Sequence, residues 1–431
     1  MNVETASAAL AEAQEATPHH CRLCGSAVDH TFVDLGMSPL CESFVPSNRA
    51  DEMEPFYPLH ALVCGQCFLV QLKEYVNPKS IFEEYAYFSS FSTSWINHAK
   101  TYVEMIIKRR GLGTESLVVE LASNDGYLLQ HFLPFGVPVL GVEPAANVAE
   151  TAVRKGVPTE VDFFGVRLAK DLIERVGQAD LIAGNNVLAQ VPDLNDFVAG
   201  IRLLLKPEGV VTLEFPHLQR LIEENQFDTI YHEHFSYFSL LTIEAMAARH
   251  ELKIIDVEEL PTHGGSLRVY LAHRQSTQQP TAAVADLIAR EEGLGFRKLE
   301  TYSVFGEQVK RTKRRLLAFL IEAKEQGKTI CGYGAPGKGN TLLNYCGIGP
   351  DFLEFTVDRN PYKLGRFTPG MRIPIHSIDA IDALKPDLVL ILPWNLKHEI
   401  VAQMRHIGDW GGKFIVPIPE VTVIDPKEIN P

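Results

Sequence analysis

SLVVELASNDGYLLQHF, residues 116–132, sets four apolar residues around one acid, Glu120, then turns through Asn124 and Gly126 and resumes an apolar pattern. That order predicts a strand, a glycine-containing turn and an amphipathic helix. Downstream, VPVLGVEP (137–144) predicts a second strand ending at Glu143, a little over 20 residues after Glu120. ADLIAGNNVL (179–188) predicts a third, ending at Asn185 and Asn186, and KPEGVVTLEFP (206–216) a turn followed by a fourth. Strands alternating with helices predict a parallel sheet with its ligand at the carboxyl ends of the strands. A dinucleotide turn wants G-x-G-x-x-G, whereas Ala122, Asn124 and Gly126 occupy this one. The turn suits S-adenosylmethionine (SAM), which has no pyrophosphate and needs less backbone approach. Glu120, Ala122, Asn124, Gly126, Glu143, Asn185 and Asn186 are the cofactor candidates, with Glu143 placed to meet ribose hydroxyls. The alternative is a Rossmann-like core without cofactor.

The chain of 431 residues is too long for one ordinary core and predicts two or three domains. With 46% hydrophobic and 22% charged residues it is globular. A net charge of −14 argues against a general nucleic-acid or membrane-surface binder, though not against a small anion in a local basic pocket. The start, MNVETASAALAEAQEATPHH, has no basic region followed by an apolar run, and no later run has membrane-spanning length. A soluble, cytoplasmic protein is expected, with a monomer as the default.

Upstream of the first strand, CRLCG supplies Cys21 and Cys24, and CGQC supplies Cys64 and Cys67. Two such turns can offer four thiolates to one tetrahedral Zn2+, a closed and therefore structural site. The alternative is two chance pairs of buried thiols. Cys41 stands alone and reads as a core residue. EEYAYFSSFSTSW (83–95) follows; its Tyr85, Tyr87, Ser89 and Ser90 could line a polar pocket, although a packed linker explains the composition better.

DTIYHEHFSYFS (228–239) sets Tyr231, His232, Glu233 and His234 side by side. PTHGGSLRVYLAH (261–273) adds Gly264 and Gly265, which permit a tight backbone beside a ligand, and Arg268, which could supply positive charge. A charged helical run over about 281–327 reads as a connector packed on one face. Then KTICGYGAPGKGNTLLNY (328–345) opens a second Rossmann-like unit, a short strand followed by Gly332, Gly334, Gly337 and Gly339 and a helix. Such a turn offers backbone N–H groups to a phosphate, and Lys338 adds a charge. It is not a Walker loop, and a purely structural glycine turn is the alternative.

Taken together, paired CxxC, ELASNDGYLL, NNVLAQVPDLNDF, YHEHFSYFS, HGGSLRVY, GYGAPGKGNTLLNY and LPWN resemble the SAM-dependent C-methyltransferases of nucleotide-activated 4-keto deoxysugars. The TDP-sugar C-3-methyltransferases are their best-known members. The resemblance runs from about Cys21 to Val416 in motif order. It implies an α/β chain with a small zinc-binding module (1–80), a central Rossmann-like SAM domain with the active-site segment (81–275), and a helical connector with a C-terminal Rossmann-like sugar-nucleotide domain (276–431). It implies zinc on the four cysteines and SAM around Ala122, Asn124, Gly126 and Glu143. His234 becomes the base, with Tyr231, Glu233 and His232 beside it. Tyr85, Arg268, Gly334, Gly337, Lys338 and Asn340 become candidates for holding the substrate, a nucleotide-linked 4-keto deoxysugar, TDP-linked by preference. Where relatives often carry histidine in N-N-V-L-A-H-V, this chain has Gln190, which hydrogen-bonds but cannot titrate.

The chemistry fits these residue types. Methylating carbon needs an enolate, and the carbon beside a ketone has a removable proton. Histidine, with an unperturbed pKa of about 6.5, is suited to take it. The enolate oxygen then needs a hydrogen-bond donor, for which Tyr231, Asn186 and Gln190 are candidates. A second metal at YHEH is the rival reading, but the zinc-protease signature is H-E-x-x-H and no cysteine is near. An O- or N-methyltransferase of a sugar nucleotide, and a SAM-fold scaffold without turnover, are the competing functions.

Overall fold

The computed structural model describes residues 19–76 and 88–428, in three main sheets. Tyr85 and Tyr87 lie outside the described residues. The first sheet is antiparallel: β1 (His30–Ser38), β3 (Tyr57–Val63) and β4 (Val70–Leu72). Alternation in YPLHALV sends Leu59, Ala61 and Val63 inward. Its fourth strand, β10 (Ser236–Tyr237), arrives from far down the chain, pairing Ser236 with Gln71 and Tyr237 with Val70. A short strand, β2 (Val45–Pro46), leaves this module to pair with β15 (Arg366–Phe367).

The second sheet is built from β5 (Val118–Leu121), β6 (Val139–Val142), β7 (Thr159–Glu160), β8 (Ala179–Asn185), β9 (Leu205–Pro216), β11 (Leu252–Leu260) and β12 (Ser266–His273). Their spatial order is β11-β12-β9-β8-β5-β6-β7. The run from β9 to β7 is parallel, and the hairpin β11–β12 is added antiparallel on β9. β5 is buried at every position, as a central strand covered on both faces must be. The order reverses between β5 and β8, so a cleft opens beyond their carboxyl ends. Helices α1 (Thr93–Arg110), α2 (Ala146–Arg154), α3 (Val166–Val176) and α4 (Leu194–Leu204) flank the sheet.

Two expectations change. After the 116–132 turn the chain forms two 3-10 turns, Leu129–His131 and Leu133–Phe135, in place of an α-helix. Pro134 has no N–H and disfavours α geometry at Leu133, and Gly136 at φ 66° ends the run. The connector is three helices, α7 (Ala282–Gly293), α8 (Leu299–Ser303) and α9 (Phe305–Glu325), which follow α5 (Leu218–Glu223) and α6 (Leu240–Arg249). Gly295, at φ 83°, makes the first break. Phe305, Val309, Leu316 and Leu320 form the buried stripe of α9, as packing on one face requires.

The third sheet has the order β16-β14-β13-β17-β18-β19, from β13 (Ile330–Tyr333), β14 (Thr356–Val357), β16 (Ile375–His376), β17 (Leu388–Ile391), β18 (Lys413–Val416) and β19 (Thr422–Ile424). All pairs but the last are parallel. The glycine turn after β13 leads into α10 (Gly337–Cys346). One apolar core runs from β1 and β3 through α9 into this sheet, with Phe32 stacked on Phe305 at 4.6 Å between ring centroids. Another joins the cysteine turns to the second sheet. Among the described residues no helix is long and apolar enough to cross a membrane.

Candidate active site

The cleft beyond β5 and β8 is a cavity of about 620 Å³. One end is the first turn. Ala122, Asn124, Glu143, Asn185 and Asn186 stand on its wall. Glu143 Oε2 accepts the backbone N–H of Asn124 and Oε1 that of Ala145, each at 2.9 Å, so the carboxylate joins the turn to α2 and keeps lone pairs free. Burial pushes the Glu143 carboxyl up and these two bonds oppose it. Buried polar atoms without partners, Asn185 Nδ2 and Asn186 Oδ1, belong to this wall. Orphaned amides beside an acid that can accept ribose hydroxyls fit a nucleoside such as that of SAM. Ser89, expected in a packed linker, reaches this rim, its N–H bonding Asn124 Oδ1 at 2.9 Å.

Two cofactor candidates stand behind the wall. Glu120 is fully buried beside Tyr127, and burial pushes its carboxyl well up. Gly126, at φ 75°, lets the turn pack on α2, because a Cβ there would lie 3.2 Å from the Ala152 side chain. Its role is backbone packing.

The four cysteine sulfurs lie within 4.8 Å of one another, with Cys21–Cys67 and Cys24–Cys64 at 3.5 Å. A tetrahedron with Zn–S of about 2.3 Å has edges of about 3.8 Å, so the set fits zinc and leaves no open position. Gln71 Nε2 donates to Cys21 Sγ at 3.2 Å, orienting a ligand. Gln71 also lies opposite Ser236, and Leu72 N donates to the carbonyl of Phe235 at 3.0 Å. The zinc module thus holds the chain just past His234.

That segment is irregular, which separates its side chains. His234 and Tyr231 line the cavity, their rings 4.1 Å apart between centroids. His234 Nδ1 is 3.0 Å from the Thr229 carbonyl, which can only accept, so Nδ1 carries the proton and Nε2 keeps its lone pair. Burial, with His263 and Lys338 nearby, brings its pKa down to about 4. Glu233 also lines the cavity, its Oε1 accepting from Cys41 Sγ at 3.5 Å. Burial and the charge of Glu42 raise its pKa to about 8, so the carboxyl keeps its proton at neutral pH. Glu42 in turn pairs with Lys363 at 3.4 Å. Gln190 stands on the wall at the end of a 3-10 turn.

His232 turns away. Its Nε2 bonds the Pro58 carbonyl at 3.1 Å and its ring meets Tyr57 edge-on. A metal shared by His232 and His234 is therefore not built. The cysteine set is the one metal-capable grouping of this kind among the described residues.

The second glycine turn closes the far end. Gly337 and Lys338 line the cavity. Lys338 Nζ donates to Asn395 Oδ1 at 2.9 Å and sits 4.7 Å over the Trp394 ring, and its burial lowers its pKa. The remaining substrate candidates are used elsewhere. At Gly334, φ 86°, a Cβ would lie 2.6 Å from Pro393, so this glycine serves the turn. Asn340 Nδ2 donates to the Cys41 carbonyl at 2.6 Å, tying α10 to the zinc module. Arg268 lies opposite Glu214 on β9 and Glu258 on β11, pairs with them at 2.7 and 3.0 Å, and covers Tyr102. Its charge is consumed inside the sheet.

The wall residues that sequence reasoning passed over include Glu42, His263 and Lys363. His263 precedes the two glycines already singled out, and that adjacency was the available signal. Glu42 and Lys363 carry no local signal, since only the tertiary fold brings them to one wall.

Three family models match consecutive parts of the chain: a zinc binding domain over residues 21–82, a methyltransferase domain over 96–257, and a C-methyltransferase C-terminal domain over 261–419. The chain is 36% identical over 404 residues to C-methyltransferase NovU of Streptomyces niveus, covering 94% of this chain and 96% of that protein. Among solved structures it matches magnesium protoporphyrin IX methyltransferase of Synechocystis with bound SAM at 12% identity and a TM-score of 0.34, over 47% of this chain and all of that one. A SAM-dependent methyltransferase of Anabaena variabilis matches at 16% identity and a TM-score of 0.33, over 40% and 84% of the two chains.

Proposed function

This chain belongs to the SAM-dependent C-methyltransferases that carry a zinc-binding domain, and from that premise we propose that it methylates a nucleotide-activated 4-keto deoxysugar, TDP-linked and at C-3. One observation carries the reading: His234 lines the cavity with Nδ1 committed to the Thr229 carbonyl, which leaves Nε2 unprotonated. A carbon nucleophile must be made by removing a proton, whereas a hydroxyl or amine already has lone pairs. A neutral base beside a cofactor cleft is what carbon chemistry asks for.

Bound SAM supplies a sulfonium methyl group as the electrophile. The protein's part is to make and hold the nucleophile. His234 Nε2 takes the proton from the carbon next to the ketone. Glu233, carrying its proton, donates a hydrogen bond to a sugar hydroxyl. Tyr231, tilted over His234, restricts the imidazole to one orientation. Lys338 and the N-terminus of α10 hold the diphosphate, whose charges suit an ammonium beside free N–H groups.

The test combines purified protein, SAM and a panel of nucleotide 4-keto-6-deoxysugars, read by mass spectrometry and by deuterium uptake from solvent. A methyl gain on one sugar should fall by about 10²–10⁴ in His234→Asn, the usual contribution of a general base. Methyl gain with no exchange at carbon would instead indicate O- or N-methylation.

A further inference from the structure

Between β11 and β12 the chain passes through Thr262–Gly264, where His263 sits at φ 56° and ψ 18°. Gly264 and Gly265 follow at φ 91° and 115°. A Cβ at 264 would lie 2.6 Å from Trp394, and one at 265 would lie 2.7 Å from the Arg220 side chain. The pair of glycines therefore lets this turn press between Trp394 and Arg220. A left-handed non-glycine residue costs about 1–3 kcal/mol and persists only where its surroundings over-determine it.

The strained position delivers an imidazole to the cavity that holds His234. The edge of Trp95 meets its ring at 5.1 Å and 81° and fixes its plane. Neither ring nitrogen has a hydrogen-bond partner among the described residues, and Nδ1 is buried. His234 spends one nitrogen on a carbonyl. His263 spends neither. A polar ring kept unsatisfied, at a backbone cost, beside the proposed base is arranged for something that arrives with substrate.

We propose that His263 is a second catalytic histidine, donating a ring N–H to the ketone oxygen while His234 takes the neighbouring carbon-bound proton. This rests on the keto-sugar reading above. The C–H pair becomes the C=C bond, the carbonyl π pair moves onto oxygen, and the proton ends on His234 Nε2. His263 keeps its own proton and only hydrogen-bonds. On transfer, the C=C pair forms the bond to the methyl carbon as the methyl–sulfur pair leaves with sulfur, the C=O bond returns, and His234 releases its proton to water. The imidazole of His263 is neutral when it does so, because burial and the nearby Lys338 charge lower its pKa to about 4. A neutral imidazole is a usable electrophile for an enolate oxygen. Gln190, where relatives often have histidine, leaves His263 the second imidazole on the wall.

His263→Gly and His263→Asn both accept a left-handed backbone, so neither strains the turn. With TDP-4-keto-6-deoxyglucose as probe, His263→Gly should lower kcat about 10²–10³-fold, the cost of one oxyanion donor. Deuterium wash-in at carbon should fall in parallel, with KM, SAM affinity, zinc content and Tm unchanged. Added imidazole should restore part of the rate to His263→Gly, and His263→Asn, which keeps an N–H donor, should lie between. Unchanged kcat in the glycine variant overturns the proposal, as does a loss that imidazole does not rescue and that tracks SAM affinity or Tm. A wild-type protein that neither exchanges nor methylates any keto sugar defeats the underlying reading. A wild type and a glycine variant equally active defeat this inference alone.

Discussion

At the scale of single residues, the cavity holds both its acid and its base in their uncharged forms. His234 is held neutral to a pKa of about 4, and Glu233 keeps its proton up to about 8. If neutral His234 and protonated Glu233 are the working forms, kcat/KM should be level through the physiological range, falling on the acid side near pH 4 and on the alkaline side near pH 8. Glu233→Gln, which cannot lose a proton, should abolish the alkaline limb and spare the acid one. An acid limb at the ordinary histidine value of about 6.5 would contradict the burial argument. The same groups act oppositely on stability. Between pH 6.5 and 4 the unfolded chain binds protons at His234 and His263 that the fold refuses, so acidification through that window destabilises. Glu233 binds a proton in the fold that the unfolded chain has released, so its contribution is present at low pH and lost as pH rises through 8.

At the scale of elements, the knuckle and the active segment share a sheet. Cys64 directly follows β3, Cys67 precedes β4, and β4 pairs with β10, which begins two residues after His234. Zinc removal by a chelator, or Cys24→Ser, should therefore abolish methyl transfer before the second sheet melts. Hydrogen exchange should rise first over 57–72 and 236–237 while SAM still binds. Simultaneous loss of both sheets would mean the knuckle supports the whole fold. Arg268 makes the converse case: Arg268→Ala takes the guanidinium from Glu214, which has no exposed surface and keeps His98 Nε2 and Thr262 Oγ1, each at 2.9 Å. A cost of about 1–3 kcal/mol in denaturant unfolding, that of losing one partner of a buried group that keeps others, is expected, with KM unchanged in whatever remains folded. The contrast explains what the sequence disclosed. Cysteine spacing and the first strand–turn carry their chemistry locally, so zinc and the cofactor cleft were legible. Arg268 resembled a ligand cation because its two acids lie on neighbouring strands, and strand pairing is a tertiary fact. The resemblance set His232 beside His234 in the site, and the irregular backbone that turns His232 away to the Pro58 carbonyl was not legible.

At the scale of the whole molecule, one cavity is finished by three parts of the chain: Glu42 from the zinc module, Glu233 from the segment between β9 and β10, and Lys363 from the turn between β14 and β15. Two Rossmann-like units could be read from their strands and glycine turns, but their meeting could not, because Glu42 and Lys363 sit in stretches with no pattern of their own. The cores had already merged, since Phe32 of β1 stacks on Phe305 of α9 and β2 pairs with β15. A pocket assembled this way should show cross-domain electrostatics. Glu42 raises the pKa of Glu233 and Lys363 lowers it. Glu42→Gln should move the alkaline limb of kcat/KM to lower pH, toward the ordinary carboxylate range. Lys363→Met should move it to higher pH, because the remaining Glu42 charge is then unopposed. The two shifts have opposite sign although the substitutions break the same 3.4 Å ion pair. Mere loosening of the interface would move both limbs alike, and only a shared field at Glu233 separates them.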